Sequence, residues 1–298
     1  MDILWLGHPD CHNIELVGPK AGNLSRLAGD HRVPPGFCVT TEPYVRWSSL
    51  FSTTQTPAVS RTMPPAFCEE LAAAYQELSA QCGTNNPSVA VRSSAVDEDG
   101  VTTSFAGQHS TFLNVVGVDS LIQAIVDCWR SAYAERALEY RQQHNMATEG
   151  LRLAVLVQKL VKADSSSVVF SANPVTGSRD EIMINASWGL GESVVGGSVT
   201  PDTYLIRKAD LAITSRQISD KQRMTVLSPQ GTQEVPVPRK QRTVAAIDDA
   251  QALEMARLSL SLESSMGWPV DLECALENRT LFLLQCRPIT TLNSHPSK

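Results

Sequence analysis

Residues 268–290 read WPVDLECALENRTLFLLQCRPIT and contain two apolar runs, 270–276 and 281–286. The polar stretch 277–280 between them is typical of the turn of a β-hairpin. Polar residues interrupt both runs with a period of two, which is the spacing at which side chains return to the same face of a strand. The stretch therefore predicts two paired strands with a set of polar side chains on a shared face.

Four polar side chains of this hairpin carry its candidate chemistry. Asp271 and Glu273 share one face of the first strand, and Gln285 and Arg287 share one face of the second. A turn centred near Asn278 places Glu273 opposite Gln285. Carboxylate oxygens are the ligands that Mg²⁺ prefers, and the arginine guanidinium pairs with phosphate oxygens. The hairpin is a candidate metal and phosphate site, and the alternative is a strand pair with one solvated face.

The composition is that of an ordinary globular protein. The chain has 298 residues, of which 42% are hydrophobic and 19% are charged, and its formal net charge is -6. A negative balance disfavours nucleic acid or an anionic membrane as the partner, because either would favour a basic surface. The seven cysteines form no CxxC pair, so neither a disulfide framework nor a zinc site is predicted. No signal peptide or membrane-length apolar run is present, and the cytoplasm is the expected location.

Two further blocks contain residues suited to binding phosphate. In VGPKAGNLSRL, Lys20 stands at the predicted start of a helix over 21–27, and a helix N-terminus with a lysine can bind a phosphate group, although any loop before a helix can look the same. In the block 89–115, a strand is predicted to end at Arg92, and small and acidic residues follow. Small residues let backbone N–H groups approach a ligand closely, so this loop could close over a polyphosphate.

The remaining chain is predicted to alternate between helices and strands. One long helix is expected over 118–144, strands over 153–160 and 168–171, and a capped helix over 248–266 closed by Gly267. The polar run around 165–167 predicts a hinge or subdomain boundary near residue 164. Residues 217–243 are polar and are predicted to be irregular.

Taken together, these motifs resemble the N-terminal nucleotide-binding domain of the superfamily of phosphoenolpyruvate synthase, pyruvate phosphate dikinase and rifampin phosphotransferase. The match runs from about residue 17 to residue 290, and five blocks occur in the family's order. The resemblance implies an α+β fold of the ATP-grasp type, with two subdomains that clamp ATP and Mg²⁺ between them. We expect the N-terminal subdomain over residues 1–164 and the C-terminal subdomain, which carries the hairpin, over 165–298.

The resemblance also implies roles for individual residues. Lys20 and Arg92 match phosphate contacts, and the SFAGQ block, whose loop covers the phosphates, gives Gly107 and the nearby Thr111. The remaining nucleotide-binding positions fall on Gln158 and Leu160 in the QKLV segment beside adenine, on Glu192 in the GLGE block, and on Asp271, Glu273, Gln285 and Arg287. Glu273, Gln285 and Asp271 are the implied metal ligands, and Arg92 and Arg287 are the implied catalytic residues.

The chain also departs from the family pattern. Pro19 replaces the usual second glycine before the lysine, and the loops after Arg92 and at 165–167 differ, which places loop closure in doubt more than nucleotide binding. No histidine lies in the TSHAA-like block that accepts the β-phosphoryl group in family enzymes. The expected function is therefore an ATP-dependent phosphotransferase component that serves a histidine on another polypeptide or on a missing domain, and the final small-molecule acceptor is open.

Two other functions are consistent with the same residues. One is a free-standing ATP-grasp kinase or ligase that activates a small acceptor directly, and the other is a nucleotide-binding regulatory module. The chain ends soon after the family block, which fits either an excised domain or a small independent protein. The segment GLGESVVGGSVTPDTY is closer to the antibiotic-phosphotransferase and synthase branch than to the phosphate-dependent dikinases.

Overall fold

A computed structural model of the chain describes residues 1–48, 63–97, 111–143, 146–147, 150–229 and 231–294. The contacts between residues divide the chain into two compact units. The first comprises Met1–Asp30 and Pro34–Leu160, and the second comprises His31–Val33 and Val161–Lys298. The assignment of an ATP-grasp subdomain to each side of residue 164 stays a prediction.

The first unit is built on a five-stranded antiparallel sheet. Its strands are β1 (Ile3–Trp5), β2 (Gly36–Val39), β3 (Val89–Ala95), β4 (Thr111–Val115) and β5 (Leu153–Lys159), in the order β1-β2-β5-β3-β4. Its helices are α1 (Ile14–Leu27), α2 (Thr41–Trp47), α3 (Pro65–Cys82), α4 (Val118–Ser131) and α5 (Glu135–Gln143).

Aromatic and branched side chains fill the core of the first unit. Phe67 and Trp129 are stacked with their ring centroids 6.3 Å apart, and Tyr44 meets Trp129 edge to face at 6.2 Å. Val89 and Val91 of β3 belong to the same buried cluster. Because side chains alternate along a strand, Ala90, Arg92 and Ser94 face the opposite side of the sheet, towards α1.

The second unit contains a six-stranded antiparallel sheet. The strands are β6 (Ser165–Phe170), β7 (Glu181–Trp188), β8 (Asp202–Arg207), β9 (Ile213–Gln217), β12 (Val270–Glu277) and β13 (Thr280–Pro288), in the order β13-β12-β6-β7-β8-β9. A separate pair joins β10 (Arg223–Leu227) to β11 (Thr232–Pro236), and the helices are α6 (Glu192–Val195) and α7 (Asp249–Met266).

The two faces of the six-stranded sheet differ in polarity. Leu272, Val169 and Ile184 are fully buried on the face that carries the apolar core, and α7 packs on β6 and β12. On the other face, cross-strand pairing places Gln285, Glu273, Val168, Asn185 and Thr203 in one row. Polar residues therefore cross the sheet on a single side.

Several predictions from the sequence are confirmed. The class is α+β, since each unit combines helices with an antiparallel sheet. Helix α7 begins with the predicted cap, because the Asp248 carboxylate accepts from the Gln251 N–H while the Gln251 side chain accepts from the Asp248 N–H. Gly267 ends the same helix in the left-handed conformation, with φ of 75°.

The strand expected over 168–171 begins earlier, at Ser165, while the boundary near residue 164 stays a prediction. Ser165, Ser166 and Ser167 are 2–3% exposed and form the first half of β6. This strand pairs with β12 on one side and β7 on the other, so hydrogen bonding with both neighbours satisfies its backbone, and the serine side chains are small enough to pack.

Three further expectations are corrected. Residues 217–243 are not irregular throughout, since they contain β10 and β11, in which only Thr225 is buried, so both strands lack the apolar alternation of a half-buried strand. Strand β3 continues to Ala95 rather than ending at Arg92. The helix predicted over 118–144 is two helices, because α4 closes with tight bonds from Tyr133 N to Arg130 O and from Ala134 N to Ser131 O.

Among the described residues, no helix combines the length and the apolarity needed to cross a bilayer.

Candidate functional site

The hairpin of β12 and β13 has the register that its sequence predicts. Glu273 pairs with Gln285, and Asp271 pairs with Arg287. The two turn residues, Asn278 and Arg279, have φ of 50° and 64°. Positive φ at both positions is the geometry of a type I′ turn, whose twist matches that of the flanking strands. The turn sets the pairing as far as Cys274 with Leu283, and a β-bulge between Glu273 and Cys274 then shifts the register by one residue and brings Gln285 opposite Glu273.

Asp271 and Arg287 form a largely buried ion pair. Arg287 Nε donates to Asp271 Oδ2 across 2.8 Å, and the side chains of Arg287 and Asp271 are 20% and 8% exposed. Burial raises the pKa of the Asp271 carboxyl above its ordinary value of 3.8, while the positive charge and hydrogen bond of Arg287 oppose that shift. The negative charge of Glu273 adds to the upward shift of the pKa.

A pocket of about 160 Å³ opens on the polar face of the second unit's sheet. It is lined by Val168, Phe170, Asn185, Val194, Val195, Pro201, Asp271, Glu273 and Arg287. Pockets for whole organic ligands usually measure about 300–1,000 Å³. The volume therefore suits a phosphate group with a metal ion better than a complete nucleotide.

Two predicted residues of the second unit lie outside the lining of this pocket. Gln285 is 3% exposed and pairs with Glu273, but it is not a lining residue. The Glu192 carboxylate is exposed and accepts a hydrogen bond of 3.0 Å from the Thr232 hydroxyl on β11. Asp271, Glu273 and Arg287 therefore lie together in the pocket, whereas Glu192 contacts β11 instead.

In the first unit, the lysine block and the VRSSA block contact each other. Helix α1 is broken at Gly18, where φ is 70° and ψ is 164°, so a second helical segment starts at Pro19. The Ala21 N–H at the start of that segment donates to Ser94 Oγ across 3.3 Å, and Lys20 Nζ donates to Ser93 O across 3.4 Å. The prediction that Lys20 stands at a helix start is confirmed.

Gly18 is required at this contact for steric reasons. A Cβ at Gly18 would lie 2.4 Å from the backbone oxygen of Ser94, and its positive φ disfavours any residue with a side chain. The close approach of the two backbones sets the position of Lys20 relative to β3.

Arg92 lies on the same face of β3 as Ser94, which contacts α1, since the two residues are two apart in one strand. Thr111 begins β4 directly opposite Arg92 and is exposed. Lys20, Arg92 and Thr111 thus belong to one region of the first unit. Gly107 lies outside the described residues, so its predicted role is not addressed by the structure.

The QKLV segment is tied to neighbouring backbone. The Gln158 side chain is 2% exposed and donates to Pro34 O across 3.1 Å, which is a structural use of its amide. The Leu160 N–H donates to Ser88 O across 2.9 Å. These contacts hold the end of β5, and they occupy one of the backbone groups near Leu160, the Leu160 N–H.

The acidic residues of the hairpin suit Mg²⁺ rather than a metal held by protein alone. The described part of the chain contains no group of three or more His, Cys, Asp or Glu side chains that could hold an ion. Mg²⁺ usually keeps several waters and takes one or two carboxylates together with substrate phosphates. Glu273 and Asp271, which share the pocket with Arg287, meet this smaller requirement.

Sequence reasoning missed Asn185, which lines the pocket, and Thr203, which contacts it. Thr203 Oγ1 donates to Asn185 Oδ1 across 3.0 Å between neighbouring strands β8 and β7. The available signal was an asparagine inside the apolar run Ile182 to Ala186, because asparagine is depleted in strands.

Two curated relatives match nearly the whole of this chain. The chain is 35% identical to the phosphoenolpyruvate synthase of Pyrococcus furiosus over 97% of this chain and 44% of that protein. It is 37% identical to the rifampicin phosphotransferase of Streptomyces sviceus over 97% of this chain and 36% of that protein. The chain thus spans less than half the length of these curated relatives.

A solved D-alanine--D-alanine ligase from Bacillus anthracis, complexed with ATP, aligns with 95% of this chain and 57% of its own at 8% identity and a TM-score of 0.35, which is too low to establish a shared fold. The family profile described as "Pyruvate phosphate dikinase, AMP/ATP-binding domain" matches residues 51–298. With most of the chain matched, the protein belongs to the family of pyruvate phosphate dikinase AMP/ATP-binding domains.

Proposed function

We propose that this chain binds ATP with Mg²⁺, cleaves it, and passes a phosphoryl group to a histidine on a separate domain or protein. The convergence of Asp271, Glu273 and Arg287 on one small pocket is the observation that carries the proposal. Family membership supports it, because the matched profile is described as AMP/ATP-binding. The cytoplasm, where ATP and Mg²⁺ are available, is the proposed location.

Phosphoryl transfer depends mainly on positioning the phosphates and neutralising their charge. We assign Glu273 as the first carboxylate ligand of Mg²⁺, with Gln285 beside it in register. Arg287 neutralises phosphate charge, and Asp271 holds its guanidinium in position and stays available as a second metal ligand.

In the first unit, we assign Lys20 and Arg92 as phosphate contacts. Both belong to the region where the α1 break meets β3, and both side chains are partly exposed. Thr111 pairs with Arg92 across β3 and β4, and we assign its hydroxyl as a further contact to the nucleotide. Gly107, Gln158, Leu160 and Glu192 stay predictions that rest on the family resemblance.

The acceptor of the phosphoryl group is proposed to lie outside this chain. The two relatives are named for different reactions, one as a synthase of phosphoenolpyruvate and the other as a phosphotransferase for rifampicin. Both share similar identity with this chain, which covers only 44% and 36% of their lengths. A shared nucleotide-binding part combined with a separate acceptor part accounts for both relationships.

Isothermal titration of ATP with Mg²⁺ tests the proposal, using the unmodified chain and the variants Glu273→Ala and Arg287→Ala, with nucleotide products analysed from the same samples. Arg223→Ala is a control, because Arg223 is exposed on β10 and pairs with Glu234 away from the pocket. We expect the two pocket variants to lose about 10- to 100-fold in affinity, the range for one hydrogen bond to a charged group.

The products distinguish the alternatives. AMP and phosphate, together with a phosphorylated histidine on an added partner domain, support transfer through a histidine partner, whereas ADP with a modified acceptor would indicate a kinase or ligase that acts directly. Binding without cleavage, even with histidine-bearing domains from the relatives present, would indicate a regulatory nucleotide module. Affinity that ignores both pocket substitutions would contradict the assignment of the hairpin.

A further inference from the structure

Asn185 is the polar residue of the pocket that the family resemblance does not assign. It sits on β7, inside the six-stranded sheet, in the cross-strand row that also contains Val168 and Glu273. At the usual spacing of about 4.8 Å between strands, the Asn185 and Glu273 backbones lie roughly 10 Å apart. The two side chains stand on opposite sides of Val168 in the pocket.

The hydrogen bond from Thr203 orients the side-chain amide of Asn185. Thr203 Oγ1 donates to Asn185 Oδ1, so the carbonyl end of the amide has its partner on the neighbouring strand. The Nδ2 group carries two N–H donors and accepts nothing. Those donors are therefore the part of Asn185 that remains for a group in the pocket.

The charges of the pocket define what such a donor can bind. Asp271 is paired with Arg287, and Glu273 adds a further negative charge. A neutral N–H donor on the far side of Val168 would stabilise an anionic oxygen without binding the cation that the carboxylates attract. A phosphoryl group that bridges the metal ion and the amide satisfies both sides of a pocket of about 160 Å³.

We propose that Asn185 is a phosphate-binding residue, donating from Nδ2 to an oxygen of the ATP phosphates, and that Thr203 is the positioning residue that orients its amide. This inference rests on the proposed function. It adds a hydrogen-bond donor from the middle of the sheet to the charged residues of the hairpin. One side of the pocket would then bind the metal ion through carboxylates, and the other would bind a phosphate oxygen through the Asn185 amide.

The test measures the affinity of ATP with Mg²⁺, and of AMP, by titration into four single variants and the double variant Asn185→Ala/Thr203→Val. Asn185→Ala removes the donors, and Asn185→Asp replaces them with an isosteric carboxylate. Thr203→Val removes the orienting hydroxyl while keeping the shape of the side chain. Thr214→Val is the matched control, because Thr214 lies on β9 of the same sheet, donates to Leu205 O, and does not line the pocket.

We expect Asn185→Ala to weaken ATP binding about 10-fold or more, as for a lost hydrogen bond to a charged group. Asn185→Asp should weaken it further by repulsion, and AMP should be affected much less because it lacks the β- and γ-phosphates. Thr203→Val should weaken ATP binding about fivefold, but not when Asn185 is already alanine, because the two residues act through one contact. Thr214→Val should match the unmodified chain, and urea midpoints will verify that all of these variants fold.

Different results overturn different statements. If the unmodified chain fails to bind ATP with Mg²⁺, the proposed function and this inference both fall. If the unmodified chain binds and Arg287→Ala weakens binding while both Asn185 variants bind normally, only the inference is overturned. Tighter binding by Asn185→Asp would also overturn it, because it would show that this position faces the metal ion rather than a phosphate.

Discussion

Arg287 and Asp271 face each other across the β12–β13 hairpin, with Nε and Oδ2 2.8 Å apart and most of both side chains buried. Removing one partner of such a pair leaves a buried charge without compensation, which commonly costs about 3–5 kcal/mol. We expect Arg287→Met to lower the free energy of unfolding by that amount at neutral pH. Asp271→Asn should cost less than Arg287→Met, because it leaves behind the more exposed partner, Arg287 at 20% against Asp271 at 8%, and keeps a hydrogen-bond acceptor for it. Urea unfolding of both variants checks the asymmetry.

The same carboxyl predicts a pH dependence with a definite sign. Because burial raises the pKa of Asp271 above 3.8, the folded state holds its proton to higher pH than the unfolded state does. This group therefore contributes stability at low pH that is lost as the pH rises from about 3.8 through the raised pKa. The stability of Asp271→Asn relative to the unmodified chain should rise across that window and stay constant above it. Paired urea titrations from pH 3.5 to about 7 measure the difference, and a flat difference would contradict the raised pKa.

The sequence was sufficient to predict this hairpin because its two signals are local. Alternation sets which residues share a face, and the polar turn sets the register to within one residue, so Glu273 was predictable as roughly opposite Gln285; a β-bulge between Glu273 and Cys274 completes the pairing. Asn185 was not, because it joins this site only through the pairing of β6 with β12, which places Val168 beside Glu273 from a strand distant in sequence. The order of strands in a sheet decides such neighbours, and no local pattern encodes it.

The serines of β6 illustrate the same limit and provide a matched test. Ser166 and Ser167 are both 2% exposed, but only Ser166 has a hydroxyl partner in the described part of the chain, the carbonyl oxygen of Gly189 at 2.8 Å. Ser166→Ala leaves that carbonyl without its partner and should cost about 1–2 kcal/mol. Ser167→Ala removes a buried hydroxyl that makes no bond there, and it should be neutral or stabilising by up to about 1 kcal/mol. Equal losses in thermal or urea unfolding would show that the two hydroxyls are equivalent.

A second buried ion pair in the second unit has a structural rather than a catalytic role. Lys221 Nζ and Asp202 Oδ1 are 2.5 Å apart with both side chains fully buried, and Asp202 also accepts from the N–H groups of Ser219 and Ala246. Lys221→Met should lower the free energy of unfolding by about 3–5 kcal/mol, because the carboxylate stays buried without its cation. Arg223→Met, two residues along and mostly exposed, should cost less than about 1 kcal/mol. A small effect of Lys221→Met in chemical unfolding would mean that the backbone donors alone satisfy Asp202.

Gly18 is expected to set the position of Lys20. A comparison of Gly18→Ala with Gly83→Ala tests this, because both glycines have a positive φ but only Gly18 contacts another strand. Gly83 ends α3 with φ of 62° and has nothing within 4 Å of where a Cβ would lie, so Gly83→Ala should cost only about 1 kcal/mol for the left-handed conformation. Gly18→Ala has a larger conformational cost, because φ of 70° with ψ of 164° is a region open almost only to glycine, and its Cβ would also meet the Ser94 backbone at 2.4 Å, so the α1 break and β3 must separate. We expect a larger loss of stability, and a loss of ATP affinity that Gly83→Ala does not share, because Lys20 moves with the start of its helical segment. Unfolding and titration of the two variants side by side measure both effects. Equal stability losses with unchanged ATP affinity would show that the contact between Gly18 and Ser94 does not position Lys20 for the nucleotide.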